Sequence, residues 1–477
     1  MNPILARLVR RFIKYQLERT SPDKLLALGE KKILKAFQRA LRYSSAYQQL
    51  LQDCGVDPSQ IGSSADFVRL CPVLEKSTTF HRFPIEQLMV STVSAASLAS
   101  ILTSSGHGKN GFAIGLSTAQ QFKSTPFLID LGLELAFNVD SRRTLLINCL
   151  PMGVTFLSDA TCVANVSVRE DMACAIVQQA GHLFEQIILC GDPLFLKRLC
   201  DYSQEQKIDW QRYHMNVIIG EETFTESFRS YLAQCLGMDL DSTSSGLIGS
   251  SMGVGEIGLN LFNETRETIA VRRACVNDPS LIVALLGEHC KTLPLPTFMC
   301  FNPLRTFVEI VDQDCHGAGD LVVSMLDMQA PLPLMRYKTG DRAMFVDAER
   351  CRQVFQSRHL DQTLPVFPAI ALLGRAKDCI GAEWHVDFFK QVLYSQTSLA
   401  VELSGAFHIG YLNEGLVWEV QLRKSSLADP VILGAALTVE LKKLNKGATP
   451  AVRCFTYDDF PYGKALDYER KFVYCSK

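Results

Sequence analysis

The 477-residue chain reads as an α/β protein with a large N-terminal domain of several sheets and a small α+β domain behind it. Three observations predict this. Single hydrophobic cores stop growing near ~250–300 residues, so a chain of this length divides. Short apolar runs at Ser97–Leu102, Thr144–Cys149, Gln186–Leu189 and Asn216–Ile219 have the length of buried strands, and helix-like stretches such as Val168–Ala180 and Asp192–Glu205 lie among them. That alternation is the pattern of a sheet covered on both faces. Finally, the texture shifts to strands between Phe298 and Met328, and beyond Gly374–Asp378 a smaller unit begins.

Taken in order, the first 90 residues are a helical lead-in. Between Met1 and Ser44 there are eleven Lys/Arg against three acids. This basic stretch admits a membrane-surface helix, but the interleaved acids and polar residues favour a solvated amphipathic one. Residues 24–53 carry Leu25, Leu26, Leu28, Ile33, Leu34, Phe37 and Leu41 at helical spacing. The run Phe307–Val311, followed by Gly317, Gly319 and Leu321–Val323, predicts a hairpin. In the last part, strands are expected near Ala400–Leu403, Leu416–Leu422 and Ala451–Phe455, with a helix near Val431–Leu444. The domains are therefore drawn at 1–376 and 377–477.

Composition excludes several classes. With 47% hydrophobic and 21% charged residues this is an ordinary globular chain. A net charge of -2 argues against a dedicated nucleic-acid binder. Sixteen cysteines without a CxxC pair do not make a disulfide framework. Many sit among apolar residues and read as buried thiols, which favours a reducing compartment and a cytoplasmic location. No apolar run approaches the ~18 residues of a membrane-spanning helix.

Two segments match G-x-G-x-x-G, Gly106–Gly111 and Gly253–Gly258. Such a fingerprint serves a dinucleotide when it forms a tight strand-to-helix turn with an acid about 20 residues on, and Asp130 stands near that distance from the first. Yet Phe112–Gly115 looks like another strand rather than a helix. The first segment, with Thr103, Ser104, Ser105 and Lys109, also reads as a phosphate loop. Small residues let backbone N–H groups turn toward phosphate oxygens, and the hydroxyls and the lysine add donors and charge. A surface turn has the same composition.

Taken together, five segments in order resemble the adenylate-forming enzymes (acyl-CoA synthetases, adenylation domains, luciferases), in particular the phenylacetate–CoA ligase branch. The resemblance runs from about residue 30 to the end. Thr103-Ser104-Ser105-Gly106-His107-Gly108-Lys109 resembles the family's phosphate loop. Gly220-Glu221-Glu222-Thr223-Phe224 resembles the segment whose backbone packs beside adenine. Met252-Gly253-Val254-Gly255-Glu256 resembles the motif whose glutamate helps hold magnesium on ATP, which implies that role for Glu256. Pro333–Asp341 resembles the motif whose aspartate binds the ribose hydroxyls, here Asp341. Leu373–Asp378 resembles the hinge, with Arg375 near ribose and phosphate and Lys377 at the pivot. Gly463-Lys464 resembles the pair carrying the adenylation lysine, which implies a catalytic role for Lys464.

The chain departs from the family where His107 replaces hydroxyls, Met252 an adenine-stacking aromatic and Gly255 a hydroxyl residue; His107 reads either as a filler of the loop or as a catalytic residue whose imidazole donates to a phosphate. Cys275, Cys300 and Cys351 fall near a zinc site of some relatives but lack its paired spacing, so no metal is expected there. The resemblance implies ATP and Mg²⁺ as cofactors, a small aromatic or modest-sized carboxylic acid as substrate, and CoA or carrier-protein phosphopantetheine as acceptor. It further implies a small C-terminal domain that moves, and a monomer or homodimer; Pro151–Val154 is a guess for the acid pocket. Two other readings stay open: a non-catalytic member that binds nucleotide or acyl adenylate, and an NAD(P)-dependent oxidoreductase.

Overall fold

The computed structural model describes residues 2–103, 113–151, 153–242, 244–381, 383–412, 415–444, 447–463, 468 and 470–475. Its strands, in chain order, are β1 (Leu98–Thr103), β2 (Ile114–Thr118), β3 (Thr144–Asn148), β4 (Cys162–Asn165), β5 (Gln186–Gly191) and β6 (Met215–Ile219). There follow β7 (Ile248–Val254), β8 (Gly258–Asn263), β9 (Thr297–Phe301), β10 (Thr306–Val311), β11 (Gly319–Met325), β12 (Tyr337–Phe345) and β13 (Ala369–Gly374). The last are β14 (Cys379–Ile380), β15 (Trp384–His385), β16 (Leu403–Leu412), β17 (Gly415–Leu422) and β18 (Ala451–Phe455). The chain folds as two compact units. One comprises Met1–Ala136, Ser251–Lys291 and Pro296–Gly374; the other comprises Phe137–Ser250, Thr292–Leu295 and Arg375–Lys477.

In the first unit, β10-β11-β12-β13-β9-β8-β7 form an antiparallel sheet, and β1 and β2 form a separate antiparallel pair. The expected hairpin is β10–β11. Its turn needs Gly317 at φ +83°, and at Gly319 a Cβ would lie 2.2 Å from the Val311 carbonyl oxygen. The helix expected over 24–53 divides into Pro22–Tyr43 and Ser45–Asp53. Ser44 causes the break. It leaves helical backbone, and its hydroxyl oxygen accepts from the Tyr47 N–H at 3.3 Å, capping the second helix. Ile33, Phe37 and Ala40 of the first helix pack into a core with Phe67, Phe262, Val323 and Tyr337.

The second unit opens with parallel β4-β3-β5-β6, joined by the first residues of β7. Every residue of β3 and β5 is buried, as a sheet covered on both faces requires. Helices Glu170–Ala180, Pro193–Glu205 and Glu226–Leu236 connect these strands. Asp192 and Thr225 cap the second and third, and Gly237 at φ +65° stops the third. The same unit holds β16 and β17, an antiparallel pair, with β18 parallel to β17 through the helix Pro430–Lys442.

The strand expected at Ala400–Leu403 is displaced. Thr397–Ala400 is one helical turn, and the strand runs Leu403–Leu412 with an irregular register around Gly405. Gly405 has φ +96°, and a Cβ there would lie 2.8 Å from the Tyr394 hydroxyl, so tertiary packing sets this bend. Among the described residues no helix is long and apolar enough to cross a membrane.

Candidate functional site

In the first unit the arrangement centres on Glu256. It lies in the turn of the β7–β8 hairpin, which the Ile257 N–H closes by donating to the Val254 carbonyl at 2.8 Å. Small residues make this turn approachable. A Cβ on Gly115 of β2 would stand 2.3 Å from the Gly255 carbonyl oxygen and 3.3 Å from the Glu256 Cα. The strand pair that ends at Thr103 and resumes at Ile114 thus abuts the Glu256 turn. Thr103 is exposed at the end of β1. Ser104, Ser105, Gly106, His107, Gly108 and Lys109 lie outside the described residues.

The Glu256 carboxylate is buried. Its Oε1 accepts from the Tyr337 hydroxyl at 2.6 Å and lies 3.5 Å from Lys76 Nζ. Burial, with the Glu256 charge beside it, raises the Tyr337 pKa far above its usual value, so the phenol stays a donor. Met252, half-buried, packs against the core of this unit, and Gly253 has no room for a side chain, since a Cβ would meet the Gly258 oxygen at 2.9 Å.

Asp341 sits on β12 and is buried. Val322 pairs with Lys338 and Asp320 with Arg342, so Thr339, Gly340 and Asp341 oppose the single residue Leu321. Such a bulge re-aims side chains, and Gly340 at φ +85° permits it. The Asp341 N–H donates to Thr339 Oγ1 at 3.2 Å. Two and three residues before the bulge region, Tyr337 and Arg336 are clamped. Arg336 Nε donates to both Glu309 oxygens at 3.1 and 3.2 Å, and a further nitrogen donates to the Cys71 carbonyl. Burial raises the Glu309 pKa although Arg336 opposes the shift.

In the second unit, Gly220–Phe224 follows β6. The Gly220 N–H donates to the Gly191 carbonyl at 3.0 Å, and Glu221 adopts φ +70°. That turn sends two carboxylates toward two lysines. Lys471 Nζ donates to the Glu221 carbonyl at 2.6 Å and lies 3.3 Å from Oε2 of its carboxylate. Lys390 Nζ meets Glu222 Oε2 at 2.6 Å, donates to the Thr223 carbonyl at 3.1 Å, and stands 4.6 Å from the Tyr474 ring centroid. The Tyr474 hydroxyl donates to Glu222 Oε1 at 3.1 Å.

Burial works against the Lys390 charge, but Glu222 and Asp387 outweigh it and raise its pKa. Close by, burial pushes the Asp192 carboxyl up to about 7, with Glu222 and Glu221 adding to the shift. A cavity of about 20 Å³, room for one water, opens between Pro193, Phe228, Lys390, Tyr394 and Tyr474. Arg375 is half-buried at the start of a 3₁₀ turn, Ala376–Asp378, on which Lys377 is exposed. Lys464 lies outside the described residues.

The structure thus brings the strand end at Thr103, Met252, Gly253 and Glu256 together in one unit, where Asp341 also lies, and places Gly220, Glu221, Glu222, Arg375 and Lys377 in the other. Sequence reasoning missed Tyr337, Lys76, Lys390, Tyr474 and Asp192. Tyr337 stood inside a quoted motif; nothing in the sequence separates Lys76 or Lys390 from surface lysines. The dinucleotide reading of Gly253–Gly258 is corrected, whereas Gly106–Gly111 lies outside the described residues. Gly253–Gly258 runs through an antiparallel hairpin. That is not the strand-to-helix turn that a pyrophosphate requires.

No family model matches the chain, and no curated protein does. Among solved structures, 2-hydroxyisobutyryl-CoA ligase in the postadenylation state with 2-HIB-AMP aligns over 96% of this chain and 89% of its own, with a TM-score of 0.66 and 12% identity. AtGH3.15 acyl acid amido synthetase in complex with 2,4-DB aligns over 98% and 94%, with a TM-score of 0.55 and 11% identity. The chain has the fold of these enzymes, an α/β architecture with a large sheet and a smaller C-terminal one.

Proposed function

We propose that this chain activates a small carboxylic acid with ATP as an acyl adenylate, then passes the acyl group to a thiol of CoA or a carrier protein. The phenylacetate–CoA ligase-like branch, with an aromatic or modest-sized acid, is the finer form of this reading. The observation that carries it is the seating of the Glu256 turn against the strands flanking 104–112, within a fold shared with a CoA ligase.

A carboxylate is a poor electrophile, and transfer of AMP turns its oxygen into a good leaving group. Negative charge spreads over the α-phosphate in the transition state, so the protein's task is positioning and charge stabilisation. Backbone and hydroxyl donors of Thr103, Ser104, Ser105, Gly106 and Gly108, with His107 and Lys109, would hold the phosphates. Asp341 would accept from the ribose hydroxyls, Gly220–Glu222 and Met252 would flank adenine, and Arg375 would reach ribose and phosphate. Lys464 would neutralise the carboxylate and the α-phosphate together. Among the described residues no cluster of three metal-ligating groups occurs; Mg²⁺ carried on ATP needs only a carboxylate or so, and Glu256, held by Tyr337 and Lys76, fits that demand. Bound there, the ion would offset phosphate charge. Residues 377–477 would move as the small domain about Lys377.

Acid-dependent exchange of labelled pyrophosphate into ATP tests this across a panel of aromatic and short aliphatic acids. Exchange with at least one acid is expected, falling ~100-fold or more in Asp341→Ala and Glu256→Ala. Absence of exchange over the whole panel, with nucleotide binding retained, would instead establish the non-catalytic reading that His107, Met252 and Gly255 keep open.

A further inference from the structure

The helix Pro3–Leu17 is amphipathic in an inverted sense. Its inward face carries charge beside Ala6 and Leu17: Arg10, 3% exposed, reaches the fully buried Asp130 at 3.5 Å, and Lys14 reaches Glu134 at 3.4 Å. Its outward face is apolar. Ile4, Leu5, Leu8, Phe12 and Tyr15 are 72%, 51%, 58%, 62% and 50% exposed. At 100° per residue these five fall within one stripe, because 4, 8, 12 and 15 recur at helical spacing and Leu5 adjoins them. Single exposed apolar residues are ordinary, but a contiguous stripe of five marks a surface that something covers.

We propose that this helix seats the protein on the surface of an anionic bilayer. The five apolar side chains enter the headgroup–acyl boundary, and Arg7 and Arg11, exposed along one flank of the stripe, meet lipid phosphates. Charge favours this occupant over a second copy of the chain. Apart from the inward, paired Arg10 and Lys14, residues 3–19 carry three exposed bases (Arg7, Arg11, Arg19) and one acid, Glu18. A twofold contact through this face would set like charges against each other. A single helical stripe also falls short of the 20–30 residues a side, about 800 Å² per partner, of a stable protein interface. The ion pairs to Asp130 and Glu134 hold the helix with its apolar stripe outward, so no unfolding is needed to present it.

Co-sedimentation of the full chain with vesicles tests this. Vesicles of phosphatidylcholine and phosphatidylglycerol in equal parts should bind it, pure phosphatidylcholine should bind much less, and added salt should weaken the binding. Leu8→Glu with Phe12→Glu should lower vesicle affinity about a hundredfold while leaving the melting temperature unchanged, since both positions are exposed. Arg7→Gln with Arg11→Gln should remove most of the preference for the anionic lipid. Equal affinity for both vesicle types, no binding to either, or a solution dimer that the Leu8/Phe12 variant dissolves would each overturn the proposal, the last assigning the stripe to a second copy.

Discussion

Asp192 joins two physical demands in one side chain. Its Oδ1 caps the helix Pro193–Glu205 by accepting from Leu194 and Phe195 N–H groups at 3.0 Å. Its other oxygen is buried with no hydrogen-bond partner among the described residues, and the carboxyl is pushed from 3.8 to about 7 by burial, with Glu222 and Glu221 contributing. A folded pKa above the unfolded one means the native state binds the proton more tightly. Its stabilisation is therefore complete below about pH 4 and is lost as pH rises through about 7, up to about 4 kcal/mol in all. Asp192→Asn keeps the cap and should flatten that loss, which urea unfolding between pH 4 and 8 measures; an unchanged pH slope would show that Asp192 is ionised in the fold. At this scale the sequence displayed motif residues but not their partners. Tyr337 and Glu256 are 81 positions apart, and only the fold closes their 2.6 Å hydrogen bond.

Among elements, the β1–β2 pair depends on having no side chain at Gly115. Gly115→Ala puts a Cβ against the Gly255 carbonyl oxygen, a backbone atom that cannot swing away. It should cost about 1–3 kcal/mol in denaturant unfolding and, on the proposed function, should reduce pyrophosphate exchange more than it reduces stability predicts. Exchange at the wild-type rate would separate this strand pair from the chemistry. Most elements were legible from pattern because their burial is periodic or continuous: β3, β5, β6, β18 and the helices at 170–180 and 193–205 fall within a few residues of their expected positions. The exceptions have tertiary causes. Ser44 breaks a helix whose apolar spacing runs on, because its side chain caps the next helix and its hydroxyl also donates to the Gln87 carbonyl at 3.0 Å. Around Gly405, packing against Tyr394 bends what local composition would keep straight.

Across the whole molecule, residues 375–477 belong to the same compact unit as 137–250, and the ion pair Lys390–Glu222 ties the two segments. Removing one partner of a mostly buried pair leaves the other charge uncompensated. Glu222→Ala and Lys390→Ala should each cost about 3 kcal/mol and speed proteolytic release of the C-terminal segment. The double variant should cost less than the sum of the two, a coupling that a double-mutant cycle reads; full additivity would mean that the pair contributes nothing. The proposed pivot makes a separate claim. Lys377→Pro should impair one half-reaction, adenylation or thioester formation, more than the other, and equal losses would remove Lys377 from that role. By itself the sequence determined the α/β class, the order of the segments and the glycine-rich turns, because hydrophobic period, chain length and backbone permissiveness are local properties. Only the tertiary structure decided which carboxylates are buried, which lysines meet them, that Gly253–Gly258 joins antiparallel strands, and that the first helix turns its apolar face outward. Those facts depend on groups tens to hundreds of residues apart, whose contacts form only when the sheets and their covering helices pack.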